Sequence, residues 1–217
     1  MNRPWPHYFF WVSILLLSWV NTPIFAQANL IKNGSFEANG PGPSTLPKHW
    51  YNCGDFGYSP PDIHSQKPYF YFFEVEKQAP KGSHFLALVV RDNQTTECVG
   101  QELKSPLEAG KAYRISLFLS ISDRYESLAS TQDLNVRRSF NDPADIEIYG
   151  LDKVGNRYLL ATFLDIDHTH WKSIFYDFSP TENIERIELS AFYNFDFPDV
   201  YNGHILIDDF KIFQTTP

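Results

Sequence analysis

Apolar residues recur along this chain at every second position, or in short unbroken runs, over eight separated segments. The alternating pattern is typical of a half-buried β-strand, and the unbroken one of a strand buried on both faces. Gly, Pro, Asn and Ser stand between the segments, where they favour turns. The sequence therefore predicts strands over His84–Arg91, Val99–Leu103, Ala112–Ile121, Asp145–Leu151, Tyr158–Leu164, Trp171–Phe178, Ile184–Tyr193 and His204–Phe213.

The rest of the pattern contains little that predicts helix. No apolar stripe of helical period runs for more than about ten residues. The segment Asn29–Tyr71 is rich in Gly, Pro, Asn and aromatic residues and predicts long loops, with one short strand near Ser35–Glu37. Tyr125–Leu134 predicts a long loop with room for one helical turn. Eight or nine short strands without helices indicate an all-β fold, an antiparallel two-sheet jelly-roll sandwich.

The beginning of the chain has the three parts of a secretory signal. They are Arg3, the apolar run Val12–Leu17 and the small-residue site Ala26–Ala28. The apolar run is too short to anchor the protein across a bilayer. We expect residues 1–28 to be removed, leaving a single domain over residues 29–217 with no transmembrane anchor. That domain is expected to be secreted, in the periplasm or at the cell surface.

Charge narrows the choice of partners. The net charge is −8, and removal of Arg3 takes it to −9. Nucleic-acid binding rests on cations that neutralise phosphates, and polybasic membrane patches also need clustered Lys and Arg. The charge therefore argues against both. With 17% aromatic and 20% charged residues, we expect a packed core instead of a disordered chain.

Two cysteines occur, Cys53 and Cys98. In an exported protein they meet an oxidising compartment, where pairing is the default. We therefore predict a disulfide between them, with two buried free thiols as the alternative. There is no CxxC pair, and two cysteines are too few for a cysteine-built zinc site.

A carboxylate lies among apolar residues in the last predicted strand. By alternation, Asp208 shares a face with Leu206 and Phe210. A buried carboxylate is costly unless it is paired, hydrogen-bonded or bound to a metal. The terminal strands of a jelly roll commonly lie side by side, so Glu37 is a natural neighbour, and two carboxylates with backbone carbonyls suit Ca²⁺. A backbone cap at Asp208, or an ion pair with Lys32, is the alternative.

Four motifs, taken in order, resemble those of carbohydrate-binding modules of the galactose-binding-like jelly-roll superfamily. The resemblance extends over nearly all of the predicted domain, and its motifs are Asn33–Glu37, Pro106–Ser116, Trp171–Pro180 and Ile207–Phe210. The early Trp50, Cys53 and Pro61-Asp62 are similar to a subset of secreted domains of Bacteroidota. The resemblance implies the galactose-binding-like fold and a structural Ca²⁺ held by Glu37 and Asp208. Sugar-binding positions vary among such modules, so it transfers none of them.

Aromatic residues in the early loops are the candidate ligand-binding residues. Sugars present apolar C–H faces and hydroxyl rims, so their sites combine a flat ring with planar polar groups. Rings that fill a loop core are the alternative. The predicted ligand-binding set is Trp50, Tyr51, Tyr58, Asp62, Tyr69 and Tyr71.

Signals for catalysis are weaker. Asp145 and Glu147 alternate at the start of a predicted strand, somewhat as the acids of some jelly-roll glycosidases do, but Gly150 replaces the third acid. His168 and His170 could share a face and bind a metal. We expect a non-catalytic module that binds carbohydrate or an envelope glycan. A structural or adhesive protein that binds other envelope proteins is the first alternative, and a polysaccharide hydrolase the second.

Overall fold

The computed structural model describes residues 28–55, 60–67, 72–130, 133–194 and 199–215. No helix in these ranges is long and apolar enough to cross a membrane. The strands are β1 (Tyr51–Asn52), β2 (Asp62–Ser65), β3 (His84–Val90), β4 (Cys98–Leu107), β5 (Tyr113–Ser120), β6 (Glu126–Ser130), β7 (Asp133–Ser139), β8 (Asp142–Pro143), β9 (Asp145–Leu151), β10 (Arg157–Phe163), β11 (Lys172–Phe178), β12 (Ile184–Phe192) and β13 (Gly203–Gln214).

These strands form two stacked sheets. The five-stranded sheet has the order β1-β4-β12-β9-β10, and the six-stranded sheet has the order β11-β5-β13-β3-β2 with the short β8 beside β13. Every pair is antiparallel except β8 with β13. β6 and β7 form a separate antiparallel hairpin. The predicted all-β, two-sheet jelly-roll sandwich is confirmed.

All eight predicted strands are present, with ends that differ by up to four residues. The short strand predicted near Ser35–Glu37 is absent, because Asn33 and Phe36 have φ angles of 48° and 51°, which turn the backbone out of the extended conformation of a regular strand. The loop predicted over Tyr125–Leu134 instead contributes to the β6–β7 hairpin.

Two hydrophobic clusters stabilise the fold. The larger one fills the space between the sheets and includes Val99 of β4, Ile148 of β9 and Leu117 of β5. The second lies on the other side of the six-stranded sheet, where Phe85 of β3 and Leu206 of β13 pack against residues from the covering segments. Those covering residues are Val75, Tyr125 and Phe140, with Phe73, Ala79 and Trp171 at the margin.

The two ends of the domain are joined as predicted. The Phe210 N–H donates to the Gly34 carbonyl at 2.8 Å, and the Leu30 N–H donates to the Ile212 carbonyl at 2.8 Å. The indole of Trp50 lies between two buried rings, 5.1 Å from the Phe36 centroid and 6.2 Å from the Phe210 centroid. This aromatic stack closes the sandwich where its first and last segments meet.

The alternation predicted for the last strand is wrong beyond Asp208. A bulge between Asp208 and Lys211 in the pairing with β5 adds residues to β13, and Asp209 there has a φ of 49°. Phe210 consequently faces the core between the sheets, together with Ile207, whereas Leu206 belongs to the second cluster. Asp208 therefore does not share a face with Phe210.

The predicted disulfide is confirmed. Cys53 follows β1 and Cys98 begins β4, with their Cα atoms 4.8 Å apart and a sequence separation of 45 positions. The Cys53 N–H also donates to the Cys98 carbonyl at 3.0 Å. The bridge fixes the short β1 to the edge of the five-stranded sheet.

Candidate functional site

The outward face of the five-stranded sheet carries a line of polar and aromatic side chains across all its strands. The register aligns Tyr51 of β1 with Gly100 of β4, then Glu188 of β12, Tyr149 of β9 and Leu159 of β10. We call these five residues the polar–aromatic row. Alternation along each strand turns these positions away from the core, so the strand pattern itself creates this surface.

At one end of the row, the Tyr51 ring lies across β4. A Cβ atom on Gly100 would meet Tyr51 Cζ at 2.5 Å and its hydroxyl at 2.6 Å, so only glycine permits this position. The Tyr51 hydroxyl reaches Glu188 Oε1 at 3.4 Å. Burial, together with the charge of Glu188, raises the pKa of Tyr51 to about 12, so the phenol stays a neutral hydrogen-bond donor.

In the middle of the row, ionic and aromatic groups hold one another in place. Arg157 Nε donates to Glu188 Oε2 at 2.8 Å, and its guanidinium lies over the Tyr149 ring, 3.8 Å from the centroid. The Tyr149 hydroxyl donates to Glu147 Oε2 at 2.5 Å. Burial and this bond raise the pKa of Tyr149 to about 12. Half-buried rings with fixed carboxylate, hydroxyl and guanidinium groups suit a ligand that is apolar on its face and polar at its rim.

A cavity of about 470 Å³ adjoins the Tyr51 end of the row. Its wall combines the aromatic ring of Tyr51 with charged side chains, and the lining residues are Lys32, His49, Trp50, Tyr51, Glu102 and Arg186. The volume is within the range of small-molecule sites, which is about 300–1,000 Å³.

The structure places the predicted ligand-binding residues in different environments. Tyr51 lies at the outward face, as described above. Trp50 is only 6% exposed, because its ring is packed between Phe36 and Phe210 and its Nε1 donates to the Asn33 carbonyl at 3.0 Å. Tyr58, Tyr69 and Tyr71 lie outside the described residues.

Asp62 belongs to a buried polar network on the six-stranded sheet, away from the surface at which we predicted it. Its carboxylate accepts hydrogen bonds from the Tyr125 hydroxyl at 2.7 Å and from the Ser44 N–H at 3.0 Å. Burial raises the pKa of Asp62 to about 6. His64 lies next to it, stacked on Phe72 at 4.1 Å. These contacts give Asp62 a structural setting, with no open surface for a sugar to approach.

The two predicted calcium ligands both accept hydrogen bonds from the segment that leads into β3. Glu37 accepts four hydrogen bonds, from the N–H groups of Ser83 and His84, the Ser83 hydroxyl and His84 Nδ1. Burial would raise the pKa of Glu37, but these bonds lower it overall. Asp208 is fully buried and accepts the N–H groups of Lys81 at 2.7 Å and Asp209 at 2.6 Å. These contacts support the alternative in which Asp208 caps backbone N–H groups.

Asp208 nevertheless has the chemistry that a divalent cation requires. Burial, with repulsion from Asp209 and Glu37, raises its pKa to about 8. Among the described residues no Lys, Arg or His forms an ion pair with it. Each Asp208 oxygen accepts one N–H and has room for a second partner. Hard oxygen donors fit Ca²⁺, although Glu37 would have to exchange one of its present hydrogen bonds for the ion.

The other catalytic and metal candidates do not assemble into a site. Asp145 is buried and accepts the Asp165 N–H at 3.0 Å, whereas Glu147 is bound to Tyr149. His168 Nδ1 contacts the His170 carbonyl at 2.8 Å. Within the described ranges, the one group of three possible metal ligands is Cys53, Cys98 and Glu188, and its two sulfurs form the disulfide.

Sequence reasoning missed most of the polar–aromatic row. Glu188 and Tyr149 lie in predicted strands, at positions where polar or aromatic residues alternate with apolar ones, and Arg157, which binds both, lies just before a predicted strand. That alternation was the signal. It identified an exposed sheet face, but it could not show that residues about 40 to 140 positions apart align across four strands.

Solved structures that are similar to this chain include enzymes and a carbohydrate-binding module. No protein-family model and no curated protein matches the chain. An arabinose-bound α-L-arabinofuranosidase, MgGH51, is 15% identical with a TM-score of 0.54, over 88% of this chain and 27% of that one. A cyclase from Fischerella sp. is 13% identical with a TM-score of 0.51, over 87% and 96%.

The carbohydrate-binding module TmCBM61, in complex with β-1,4-galactotriose, is 18% identical with a TM-score of 0.45, over 87% of this chain and 99% of the module. The chain thus spans about a quarter of the arabinofuranosidase and nearly all of the cyclase and the module. At these identities the first two likenesses, with TM-scores above 0.5, show a shared fold, the two-sheet sandwich.

Proposed function

We propose that this protein is a secreted, non-catalytic module that binds carbohydrate on the outward face of its five-stranded sheet. The ligand would lie along the polar–aromatic row, between Tyr51 and Tyr149. The rings would stack on the C–H faces of the sugar, and Glu147 and Arg157 would form hydrogen bonds with its hydroxyls. Glu188 is buried beneath them and would hold Tyr51 and Arg157 in place.

The observation that carries this proposal is the contact chain from Tyr51 through Glu188 and Arg157 to Tyr149. Each of these side chains is held by another, so little side-chain freedom would be lost when a ligand binds. The arrangement combines rings and planar polar groups, as sugar sites require. The Cys53–Cys98 disulfide is what an oxidising compartment produces, which supports export.

Affinity electrophoresis against a panel of plant and bacterial polysaccharides tests the proposal. Tyr149→Ala should weaken binding about tenfold or more, because it removes the central ring. Tyr149→Phe keeps the ring and should retain most of the affinity. Phe175→Ala is the matched control, since Phe175 is an exposed ring, 61% accessible, on the other sheet.

Two outcomes would contradict the proposal. The first is that no polysaccharide or oligosaccharide in the panel retards the wild-type protein. The second is that Phe175→Ala weakens binding as much as Tyr149→Ala does. Mass spectrometry of the exported protein checks secretion independently, with Asn29 expected as the first residue.

Protein binding is the second candidate function, and one feature favours it. β11 pairs only with β5 among the described strands, and it exposes Phe175 and Tyr176. An edge strand with exposed rings can pair with a strand of another protein. Association that depends on concentration, and that Phe175→Ala abolishes, would favour this candidate over carbohydrate binding.

We further propose a structural Ca²⁺ at Asp208, with Glu37 as a second ligand. The ion would supply the positive charge that the buried Asp208 lacks among its described neighbours. Chelation should lower the melting temperature of the wild-type protein, and Asp208→Asn should remove the calcium-dependent part of stability. An unchanged melting curve after thorough chelation would exclude the ion.

A further inference from the structure

A shallow groove follows β4 and β12 beside the polar–aromatic row. It consists of the 470 Å³ cavity next to Tyr51 and a second cavity of about 640 Å³. Glu102 and Arg186 line both cavities, so the two are continuous. The second cavity adds to the lining Leu103, Lys104, Ser105, Pro106, Lys153 and Glu185.

The charge of this groove is opposite to that of the protein. Four cationic side chains line it, against the two acids Glu102 and Glu185, whereas the whole chain has a net charge of −8. We call this surface the basic groove. The four cations are Lys32, Lys104, Lys153 and Arg186.

None of the four cations forms an ion pair with an acid of the described residues. Elsewhere Arg114 is paired with Asp177 at 2.6 Å and Arg157 with Glu188 at 2.8 Å. Arg186 stands directly opposite Glu102 in the register of β4 and β12, yet no bridge joins them. Unpaired cations that converge on a cavity provide a positive potential that an anionic ligand can use.

The backbone holds part of this surface in position. Lys32 precedes the turn at Asn33, and its N–H donates to the Gln101 side chain at 2.9 Å. Lys104 Nζ donates to the Asn29 carbonyl at 2.9 Å. Arg186 and Glu102 project from two paired strands, which are rigid supports. The groove is thus a built feature of the fold, adjoining Tyr51 on one side.

We infer that the basic groove binds the anionic groups of an acidic glycan, a saccharide that carries carboxylate or sulfate groups. Arg186 presents a planar fork that can hold either group through two hydrogen bonds, and the lysines supply additional charge. This inference rests on the proposed function, and it assigns the class of glycan that the same face would prefer.

Nucleic acid is the other polyanion to consider, and the structure disfavours it. A duplex carries charge along its whole length and would extend beyond a groove of four cations onto a protein whose net charge is −8. Two aromatic residues line the groove, and of these Trp50 is buried, so Tyr51 is the ring that a base could reach. Single-stranded nucleic acid would need several such rings in succession.

Calorimetric titration with matched acidic and neutral oligosaccharides tests the inference. Suitable probes are oligogalacturonate, a sulfated galactan fragment, a neutral galactan fragment and duplex DNA. We expect tighter binding of an acidic probe than of the neutral one at about 20 mM salt, with the difference shrinking at about 500 mM as screening shortens the reach of charges. The first two probes distinguish carboxylate from sulfate.

Variants that remove single charges show which residues bind the acidic probe. Arg186→Gln and Lys153→Gln should each weaken binding of the acidic probe about tenfold. Lys153 lines only the second cavity, so Lys153→Gln should leave binding of the neutral probe unchanged. Lys172→Gln removes the same charge from β11 of the other sheet and serves as the control. Tyr149→Ala should weaken binding of both probes.

The two proposals fail in different ways. If the neutral probe binds as tightly as the acidic ones and salt has no effect, the basic groove is not a site for anionic groups, although carbohydrate binding stands. If no saccharide binds, both proposals fall. If duplex DNA binds more tightly than any saccharide, the anionic partner is not a glycan and the inference is overturned.

Discussion

The two sheets of this protein differ in how far other parts of the chain cover their outer faces. The outer face of the six-stranded sheet is covered by a second hydrophobic cluster and by a buried polar network around Asp62 and Tyr125. The outer face of the five-stranded sheet carries the polar–aromatic row and the basic groove, and cavities open beside it. Over β3 and β13 a ligand would have to displace this second cluster, whereas the described residues leave the outer face of the five-stranded sheet open.

The strand patterns already contain this difference. β3 is apolar at nearly every position, because Leu86 and Leu88 face the core between the sheets while Phe85 and Ala87 face the second cluster. β9 alternates instead, with Ile146 and Ile148 inward and Glu147 and Tyr149 outward. An unbroken apolar strand thus indicates a sheet with two covered faces, and an alternating strand indicates a free face.

The largest expected effect comes from removing a leucine from each face. Leu206 is fully buried in the second cluster, whereas Leu159 in the polar–aromatic row is 55% exposed. Leu206→Ala should lower the free energy of unfolding by about 2–5 kcal/mol, because it leaves a cavity. Leu159→Ala should change it by less than about 0.5 kcal/mol. Equal losses in chemical denaturation would contradict the division into covered and open faces.

Removal of the disulfide should have the next largest effect. In the double variant Cys53→Ser, Cys98→Ser, a loop of 45 residues is no longer closed in the unfolded chain. The chain-entropy relation predicts a loss of about 3–4 kcal/mol in the free energy of unfolding. Because the bridge holds β1, carbohydrate affinity should fall too, as Tyr51 loses its support. An unchanged denaturation midpoint would show that the bridge contributes nothing.

A smaller effect on stability, with a larger one on binding, is expected at Glu188. Glu188→Gln keeps the shape but removes the charge that holds Arg157, and should cost about 1–2 kcal/mol of unfolding free energy. The free energy of carbohydrate binding should weaken by more than the free energy of unfolding does. Glu185→Gln, an exposed neighbour on β12, is the control for stability. A loss of stability with full affinity would remove Glu188 from the site.

The smallest expected effect is a pH dependence confined to the covered face. Burial lowers the pKa of His204 to about 4 and that of His64 to about 3. Both remain neutral in the folded chain but take up protons in the unfolded one, so they cost stability as the pH falls from about 6.5 towards 4. Asp62 and Asp208 oppose this, because burial raises their pKa values to about 6 and about 8 and the folded chain takes up their protons at a higher pH than the unfolded chain does.

Denaturation midpoints at pH 7, 5.5 and 4 measure this dependence. His204→Gln should flatten the profile, and His170→Gln should leave it unchanged, because His170 is exposed. If the midpoints of His204→Gln and of the wild type change by the same amount between pH 7 and pH 4, His204 is not held neutral by the fold.

Much of the fold could be predicted from the sequence, and less of the site. Period-two patterning located the eight long strands, and the motifs near Phe36 and Phe210 indicated that the chain ends meet. The bulge at Asp209 could not be predicted, because a left-handed residue in a strand leaves no mark in the apolar pattern. For the same reason the face of Phe210 was assigned incorrectly.

The candidate site escaped prediction because it depends on register. Trp50 and Tyr51 are adjacent in sequence, yet one is buried in the aromatic stack and the other lies on the outward face. Tyr149 and Glu188 become neighbours only through pairing of β9 with β12. Composition identified the residue types that bind sugars, and only the three-dimensional pairing showed which of them share a surface.

The most direct test of carbohydrate binding at the open face is to map amide shifts by NMR during titration with a saccharide that the panel identifies. Amides of β1, β4, β9 and β12 around Tyr51, Glu188 and Tyr149 should shift, while those of β3 and β13 behind the second cluster stay in place. Shifts concentrated on β3, β13 or β11, with none along the polar–aromatic row, would contradict the assignment of the binding face.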